Sequence, residues 1–525
     1  MPRIALRLLT VLLLLLPVPC AVLAEEPVDL DAVNRIRNEG LRHSKVMDTV
    51  QHLTDAIGPR VTGSAQAKEA SEWTRQQLAD WGLANAHLEP FDFGRGWSFT
   101  SVTAAVTKPR RIALTALPRA FTPGTAQPVS GPVMQVTIES EKDIEQYRGK
   151  LGGKILLLDK AHDFTKDKTS PRRYTAETLK ELELFKMPGE GDDRIKRYIG
   201  QLKLRRAKNQ FFTEEKVLAT LEESDAPWGI LEAANGGSFK PGENTGPPAL
   251  LVAAEQYNRL LRLAEKDPSV EVEIDVKAAF DDSDTHSYNT IAEIPGTDKS
   301  GEVVMLGAHL DSWHGATGAT DNAAGCAVAM EVVRILKKLG VKPRRTIRIA
   351  LWTGEEQGAI GSYTYVARHF AARPEPQDPE QKALSPYMRK KIGPIQVKPE
   401  HAKLSAYFNL DNGGGKIRGI YAEENVAVAP IFEAWLRPLH DLGAETVTLR
   451  HTRGTDHVPF DEVGLPGFQF VQDELDYMAM THHTNMDAFD HLEREDLIQA
   501  SVVMATFVYH AAMRPEMLPR KPMPE

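Results

Sequence analysis

The sequence predicts an α/β fold, with a mostly parallel central sheet covered by helices on both faces and a β-rich unit inserted ahead of it. Two observations carry this expectation. Toward the carboxyl end, short apolar runs of strand length alternate with longer stretches of helical periodicity, the pattern of strands joined by crossover helices. Between residues 109 and 265 the texture changes to short β-rich pieces around a charged segment. Composition agrees: 42% hydrophobic and 26% charged residues over 525 positions supply a core and argue against a disordered or fibrous chain. The net charge of −9, without a long basic block, argues against a nucleic-acid partner.

In chain order, Arg3 and Arg7 precede an apolar run, Leu8–Val18, that ends in Val22-Leu23-Ala24. A basic start, a short apolar stretch and a small-residue exit are the layout of a secretory signal peptide over 1–24. The mature protein is expected to be exported, periplasmic or secreted, with no stable membrane insertion. Cys20 leaves with that segment, and Cys326 remains as a lone, buried small hydrophobe. Residues 25–108 open with helical periodicity around Val46–Val50 and Ala67–Leu83, separated by a turn at Gly58–Ser64. In the insertion, Lys154–Leu158 and Ala249–Val252 read as strands. The charged segment from 160 to 226 reads as helical runs over Ala176–Phe185, Asp193–Leu204 and Glu214–Glu222, expected as solvated surface decoration. From 266 to 525, Val303–Ala308, Thr346–Trp352, Leu404–Leu410 and Gly467–Val471 read as strands. Ala323–Leu339 and Leu497–Ala512 read as helices, the first stopped by Gly340 after Lys337 and Lys338.

The chemistry-bearing residues fall where those strands end. His309 and Asp311 follow the first strand, Asp321 precedes a helix, Glu355 and Glu356 follow the second strand, Asp411 follows the third, and His482-His483 come late in the chain. Each alone is weak, since Asp before a helix is usually an N-cap and a Glu pair usually solvated surface. Their recurrence in order at one sheet edge, where open α/β sheets bind ligands, carries the weight. Two His and three carboxylates suffice for two zinc ions sharing one carboxylate, and a nitrogen-and-oxygen set without thiolate suits catalytic zinc. Asp311 is close enough to accept the second ring N–H of His309. Adjacent Glu355 and Glu356 leave the backbone in different directions, so one can bind metal while the other works as a general base on an activated water.

Six stretches make the sequence resemble the co-catalytic dizinc exopeptidases, the family of bacterial leucyl aminopeptidases and glutamate carboxypeptidases, and within it the plasma carboxypeptidase group. They are Gly307–Trp313, Gly318–Asn322, Leu351–Gly358, Asn409–Asp411, Gly454–Asp456 and the His-Thr-x-x-Asp pattern closing at Asp487. The resemblance implies His309 and Asp411 on one zinc, Glu356 and His483 on the other, and Asp321 bridging, for two Zn²⁺ per chain. It implies Glu355 as general base and Asp311 as the partner of His309, with His482 the fallback for His483 and Thr455, Asp456 and His457 near the substrate pocket. It also implies that 109–265 is a protease-associated domain set between the two parts of the peptidase domain, 25–108 and 266–525. The expected activity is hydrolysis of terminal bonds in peptides or dipeptides, aminopeptidase first and dipeptidase or carboxypeptidase second, with a homodimer possible. A glutaminyl cyclase or a receptor-like homologue without catalysis is a more distant reading on the same fold.

Overall fold

The computed structural model describes residues 26–166, 172–186 and 193–524. The expected signal peptide, with Cys20, lies outside the described residues. The first of the two eight-stranded main sheets contains β1 (Ala84–Asp92), β2 (His286–Ile294), β3 (Lys299–His309), β4 (Arg345–Trp352), β5 (Leu404–Asn409), β6 (Ile417–Tyr421), β7 (Thr446–Thr448) and β8 (Gly467–Gln472). Their spatial order is β1-β2-β4-β3-β5-β8-β6-β7. The parallel character is concentrated in the centre, where β4, β3, β5 and β8 run side by side in the same direction. At one edge β1 and β2 join antiparallel; at the other β6 runs antiparallel to β8 and carries β7 parallel to itself. The sheet is therefore mixed rather than mostly parallel throughout.

The four central strands were legible because both of their faces are covered, so they read as continuous apolar runs. Alternate residues point to opposite faces. On one side Val304, Leu306, Ala308, Ile347, Ile349 and Leu351 pack with helices α1 (Leu30–His43), α3 (Ala324–Lys338) and α4 (Arg494–Met513). On the other, Val303, Met305, Ala350 and Trp352 meet Tyr365, Phe370 and Phe460. Helix α2 (Ala65–Asp80) starts at Ser64, whose hydroxyl accepts from the Ala67 N–H, an N-cap that satisfies a free helix donor. Helix α4 is long and apolar enough to cross a membrane by length and composition, but 94% of its apolar window is buried in the protein, which makes it a core helix.

The second sheet runs in the order 112–114, 96–108, 271–281, 129–135, 155–157, 219–223, 249–252, 116–118. It draws on Gly96–Lys108 and Glu271–Asp281, beyond the 109–265 span expected for the insertion. Its core includes Val106, Ile155, Leu157, Leu221, Leu250, Val272 and Ile274. The expected helix over Glu214–Glu222 is not formed: a single helix spans Asp193–Glu214, and Ala219–Glu223 is a strand between two parallel neighbours. Its buried Ala219-Thr220-Leu221 is too short an apolar run to stand out among the flanking charges.

The charged stretch is more than surface decoration. Arg173 reaches Asp473, Glu493 and Asp496 of the larger unit, and the Tyr174 N–H donates to Asp473. Thr448 at the end of β7 donates to the Leu182 carbonyl, and Arg450 to that of Leu184. A run rich in charge looks solvated in sequence because its partners lie some 300 positions away.

Arg60 ties the amino-terminal turn to the sheet edge. It is fully buried and donates to five main-chain carbonyls, those of Leu53, Gly58, Leu310, Thr317 and Gly318, at 2.7–3.1 Å. Burial presses its pKa downward, against the charges of Asp487, Asp311 and Asp321 nearby. Gly318 is left-handed (φ +63°), and a Cβ there would stand 2.3 Å from the Ser312 Cβ and 2.9 Å from the Arg60 guanidinium. Arg60→Met keeps much of the volume and strands those carbonyls, so it should destabilise the fold by about 3 kcal/mol. A chemical-denaturation midpoint equal to that of the unmutated protein would show that the turn does not depend on this guanidinium.

Candidate metal centre

Each candidate residue sits at the carboxyl end of a central strand or in a loop packed against it. His309 is the last residue of β3, Asp411 lies two positions past β5, and Glu355 and Glu356 follow β4. Asp321 lies in the irregular turn ahead of α3, where the Asp321–Asn322 peptide is cis. His483, in the left-handed region at φ +60°, sits in the loop beyond β8.

The five side chains converge. His309 Nε2 is 3.1 Å from Asp321 Oδ1 and 3.2 Å from Asp411 Oδ1. His483 Nε2 is 3.3 Å from Asp321 Oδ2 and 3.0 Å from Glu356 Oε2. Asp321 therefore stands between two imidazoles with one oxygen toward each, and each imidazole is flanked by a second carboxylate. Asp321 Oδ2 and Glu356 Oε1 are buried without a hydrogen-bond partner. Orphaned anionic oxygens are costly in a protein interior, and a pair of imidazole-and-carboxylate sets sharing one carboxylate matches what zinc accepts. His309, Asp321 and Asp411 can hold one cation; His483, Glu356 and Asp321 can hold another. His482 stacks on His483 with ring centroids 3.7 Å apart and also stands within ligand distance of Asp321, so the structure keeps it near the cluster.

Charge crowding governs the electrostatics. Burial drives the Glu355 and Glu356 carboxyls well above their ordinary pKa, and neighbouring carboxylates push the same way: Asp411 and Asp456 on Glu355, Asp321 on Glu356. Burial opposes a charge on His309, yet Asp411, Asp311 and Asp321 together hold its pKa well above the usual imidazole value. Asp321 moves the other way: burial would raise it, but the His309 hydrogen bond and the charge of His483 hold it below the ordinary range. A divalent cation is the charge that would stabilise all of these carboxylates in their ionised form.

Asp311 plays a different part from the one expected. His309 Nδ1 lies 3.0 Å from the Asp311 main-chain carbonyl and 3.6 Å from its carboxylate. The carboxylate instead accepts from Thr62 Oγ1 at 2.7 Å and from the Glu355 and Glu356 N–H groups at 3.3 Å each, so it fixes the backbone that aims both glutamates. Asp487 does the same for Asp321: it accepts from Thr320 N and Oγ1 at 2.6 and 2.7 Å and from Asp321 N at 3.2 Å, and burial raises its own pKa to about 7. Asn322 links the loops of Asp321 and Asp411 by donating to the Leu410 carbonyl. Cys326, its thiol pushed up to about 12 by burial, donates to the His309 carbonyl.

Sequence reasoning passed over Thr62, Asn322 and the holding role of Asp487, although Asp487 closes the His-Thr-x-x-Asp pattern. Asp456 is fully buried, with its pKa raised to about 7 by that burial, and accepts from Ser362 Oγ at 2.5 Å. Thr455 accepts from Asn409, and His457 Nε2 lies 3.3 Å from the Thr452 carbonyl. A loop of the second unit, between its strands 219–223 and 249–252, also contributes. Ala233 N–H donates to the His483 carbonyl at 2.6 Å, and Leu231 exchanges hydrogen bonds with Asn485, so the loop that presents His483 is braced from the other unit.

The model of peptidase family M28 matches residues 289–508, the span that holds every residue of the cluster. Carboxypeptidase Q of Bos taurus is 27% identical over 484 residues, 92% of this chain and 88% of that protein. Among solved structures, a peptidase M28 precursor from Shewanella amazonensis superposes with a TM-score of 0.66 at 24% identity, covering 94% of this chain and 98% of that one. A zinc aminopeptidase from Bacillus subtilis superposes with a TM-score of 0.57 at 19% identity, covering 90% and 95%. These two likenesses establish the shared fold. Taken with the family match over 289–508 and the relatives aligned over most of the chain, they support a metal-dependent exopeptidase similar to peptidase family M28.

Proposed function

We propose that this metal-dependent exopeptidase removes residues from the amino end of peptides or dipeptides, with two zinc ions per chain held by His309 and Asp411, by Glu356 and His483, and by Asp321 between them. One observation carries the reading: the Asp321 carboxylate presents one oxygen to each of two imidazoles, each beside a further carboxylate. Two zinc ions there would polarise the scissile carbonyl, acidify the attacking water, neutralise the oxyanion and offer a ligand position to a free α-amine. Glu355, placed beside this set and not needed within it, takes a proton from the water that attacks the terminal carbonyl and returns it to the leaving amine. Asp311, through the Glu355 and Glu356 N–H groups, keeps the base and its neighbour apart in direction. The β-rich unit is read as a protease-associated domain, and residues 1–24 as the signal that exports the chain.

A second reading is cleavage as a dipeptidase or from the carboxyl end. It is favoured by the full-length alignment with carboxypeptidase Q, whereas the zinc aminopeptidase neighbour shares the fold at lower identity. Activity on a panel of free and end-blocked dipeptides and tripeptides, with and without chelator, separates the two. Free-amine substrates should be cut and amine-blocked ones spared, with all activity lost to chelator. Cleavage of an amine-blocked peptide from its carboxyl end would reverse the assignment.

Two substitutions test the roles. Glu355→Gln should lower kcat by about 10³-fold or more, with zinc content near that of the unmutated protein, since it removes a base and no ligand. Loss of zinc in that variant, measured by atomic absorption, would overturn the division of labour between the two glutamates. Asp321→Ala should lower occupancy of both positions at once; two full zinc equivalents retained in that variant would rule out the bridging role.

A further inference from the structure

A cavity of about 710 Å³, within the size range of small-molecule and peptide pockets, opens beside Glu356. Its walls come from both units: the Asp193–Glu214 helix and the 235–240 loop on one side, the 356–367 and 371–392 stretches on the other. Two kinds of side chain in it lack the partners that burial demands. Gln357, next to Glu356 in sequence, is 7% exposed, yet neither its Nε2 nor its Oε1 has a hydrogen-bond partner. The Ser385 hydroxyl, also on the cavity wall, is likewise buried and unpartnered. A buried carboxamide with both ends unpaired is rare, and it has the donor and acceptor needed to match one peptide unit.

The cations of the same cavity point to the other end of the occupant. Arg206, Arg389 and Lys391 each have a carboxylate partner, at 3.6 Å on Glu243, 3.4 Å on Glu375 and 2.7 Å on Glu462. Arg205 and Lys240 form no ion pair among the described residues. Arg205 donates to the Asn235 carbonyl at 2.7 Å and Lys240 to that of Ala383. Burial lowers the pKa of both. Desolvated cations held only by neutral carbonyls are poised for an anion.

We propose that this cavity receives the carboxyl-side segment of a short peptide, with Gln357 and Ser385 hydrogen-bonding its backbone and Arg205 and Lys240 binding its free C-terminal carboxylate. The inference rests on cleavage at the amino end, which puts the leaving segment in this cavity. The enzyme would then select short peptides with both termini free, and Arg205 and Lys240 would set specificity from the β-rich unit without touching the reacting atoms.

The test uses the zinc-loaded full chain and one free-amine tripeptide as its acid and as its C-terminal amide. The acid should have a KM about 10–100-fold lower, the value of one or two charge-assisted hydrogen bonds. Lys240→Met and Arg205→Met should each narrow the acid–amide ratio, and Lys240→Arg should restore it. Equal KM for the two forms in the unmutated enzyme would overturn the inference while leaving amino-end cleavage intact. Calorimetric binding of the same pair with the first peptide bond reduced to CH₂–NH gives a readout free of turnover. An acid preference there, alongside cleavage of amine-blocked peptides, would keep the carboxylate site and overturn the direction of cleavage. No acid preference would overturn the site whichever end is cut.

Discussion

Carboxylates buried around two imidazoles at one sheet edge set the terms for the rest of this molecule. Asp321, Glu356 and Asp411 are brought close enough to repel one another, in a place where water cannot screen them. Repulsion among these carboxylates, only partly offset by the two imidazoles, opposes assembly of the cluster, so the surrounding fold must help impose it. The means are visible one layer out. Asp311 is clamped by Thr62 and holds two glutamate N–H groups, Asp487 holds the Asp321 turn, Asn322 spans two loops, and Arg60 gathers five carbonyls beneath them. The core of β3, β4, β5 and β8 supplies the rigid edge from which these loops project.

Much of this arrangement can be read from the sequence, and the part that cannot has physical reasons. The central strands announced themselves because burial on both faces makes them uniformly apolar, as in Val303–Ala308. The edge strand β1 and its neighbour β2 did not, because His87, Glu89 and Glu293 interrupt them and their pairing is antiparallel. Most of the strand Ala219–Glu223 reads as part of a helix over Glu214–Glu222, because three buried residues cannot outweigh the charges around them. At the site, the structure brings together His309, Asp321, Glu356, Asp411 and His483, which the sequence singles out by position at strand ends or ahead of a helix and by the family resemblance. The contact with His309 expected of the Asp311 carboxylate is made more closely by the Asp311 carbonyl, and the carboxylate serves the next loop instead. Gln357 gave no signal at all, since an orphaned carboxamide is a fact of three-dimensional surroundings.

The inserted stretch changes meaning once its contacts are known. In sequence it reads as a polar digression between two halves of a catalytic unit. In the fold, Arg173 locks it onto Asp473 and Asp496, and its helix lines a cavity that the peptidase half alone would leave open on one side. Charge density that resembles solvation is here a set of long-range ion pairs together with two cations, Arg205 and Lys240, that form no ion pair among the described residues.

The main-chain bonds from Leu231 and Ala233 to Asn485 and His483 carry a consequence for how the protein matures. The loop that carries His483 in a left-handed conformation is braced by the neighbouring unit, so binding of a cation by His483 would be thermodynamically linked to docking of the β-rich unit. A chain whose halves have come apart would be impaired in cation affinity as well as in substrate enclosure, and cofactor uptake would report on completion of the tertiary assembly.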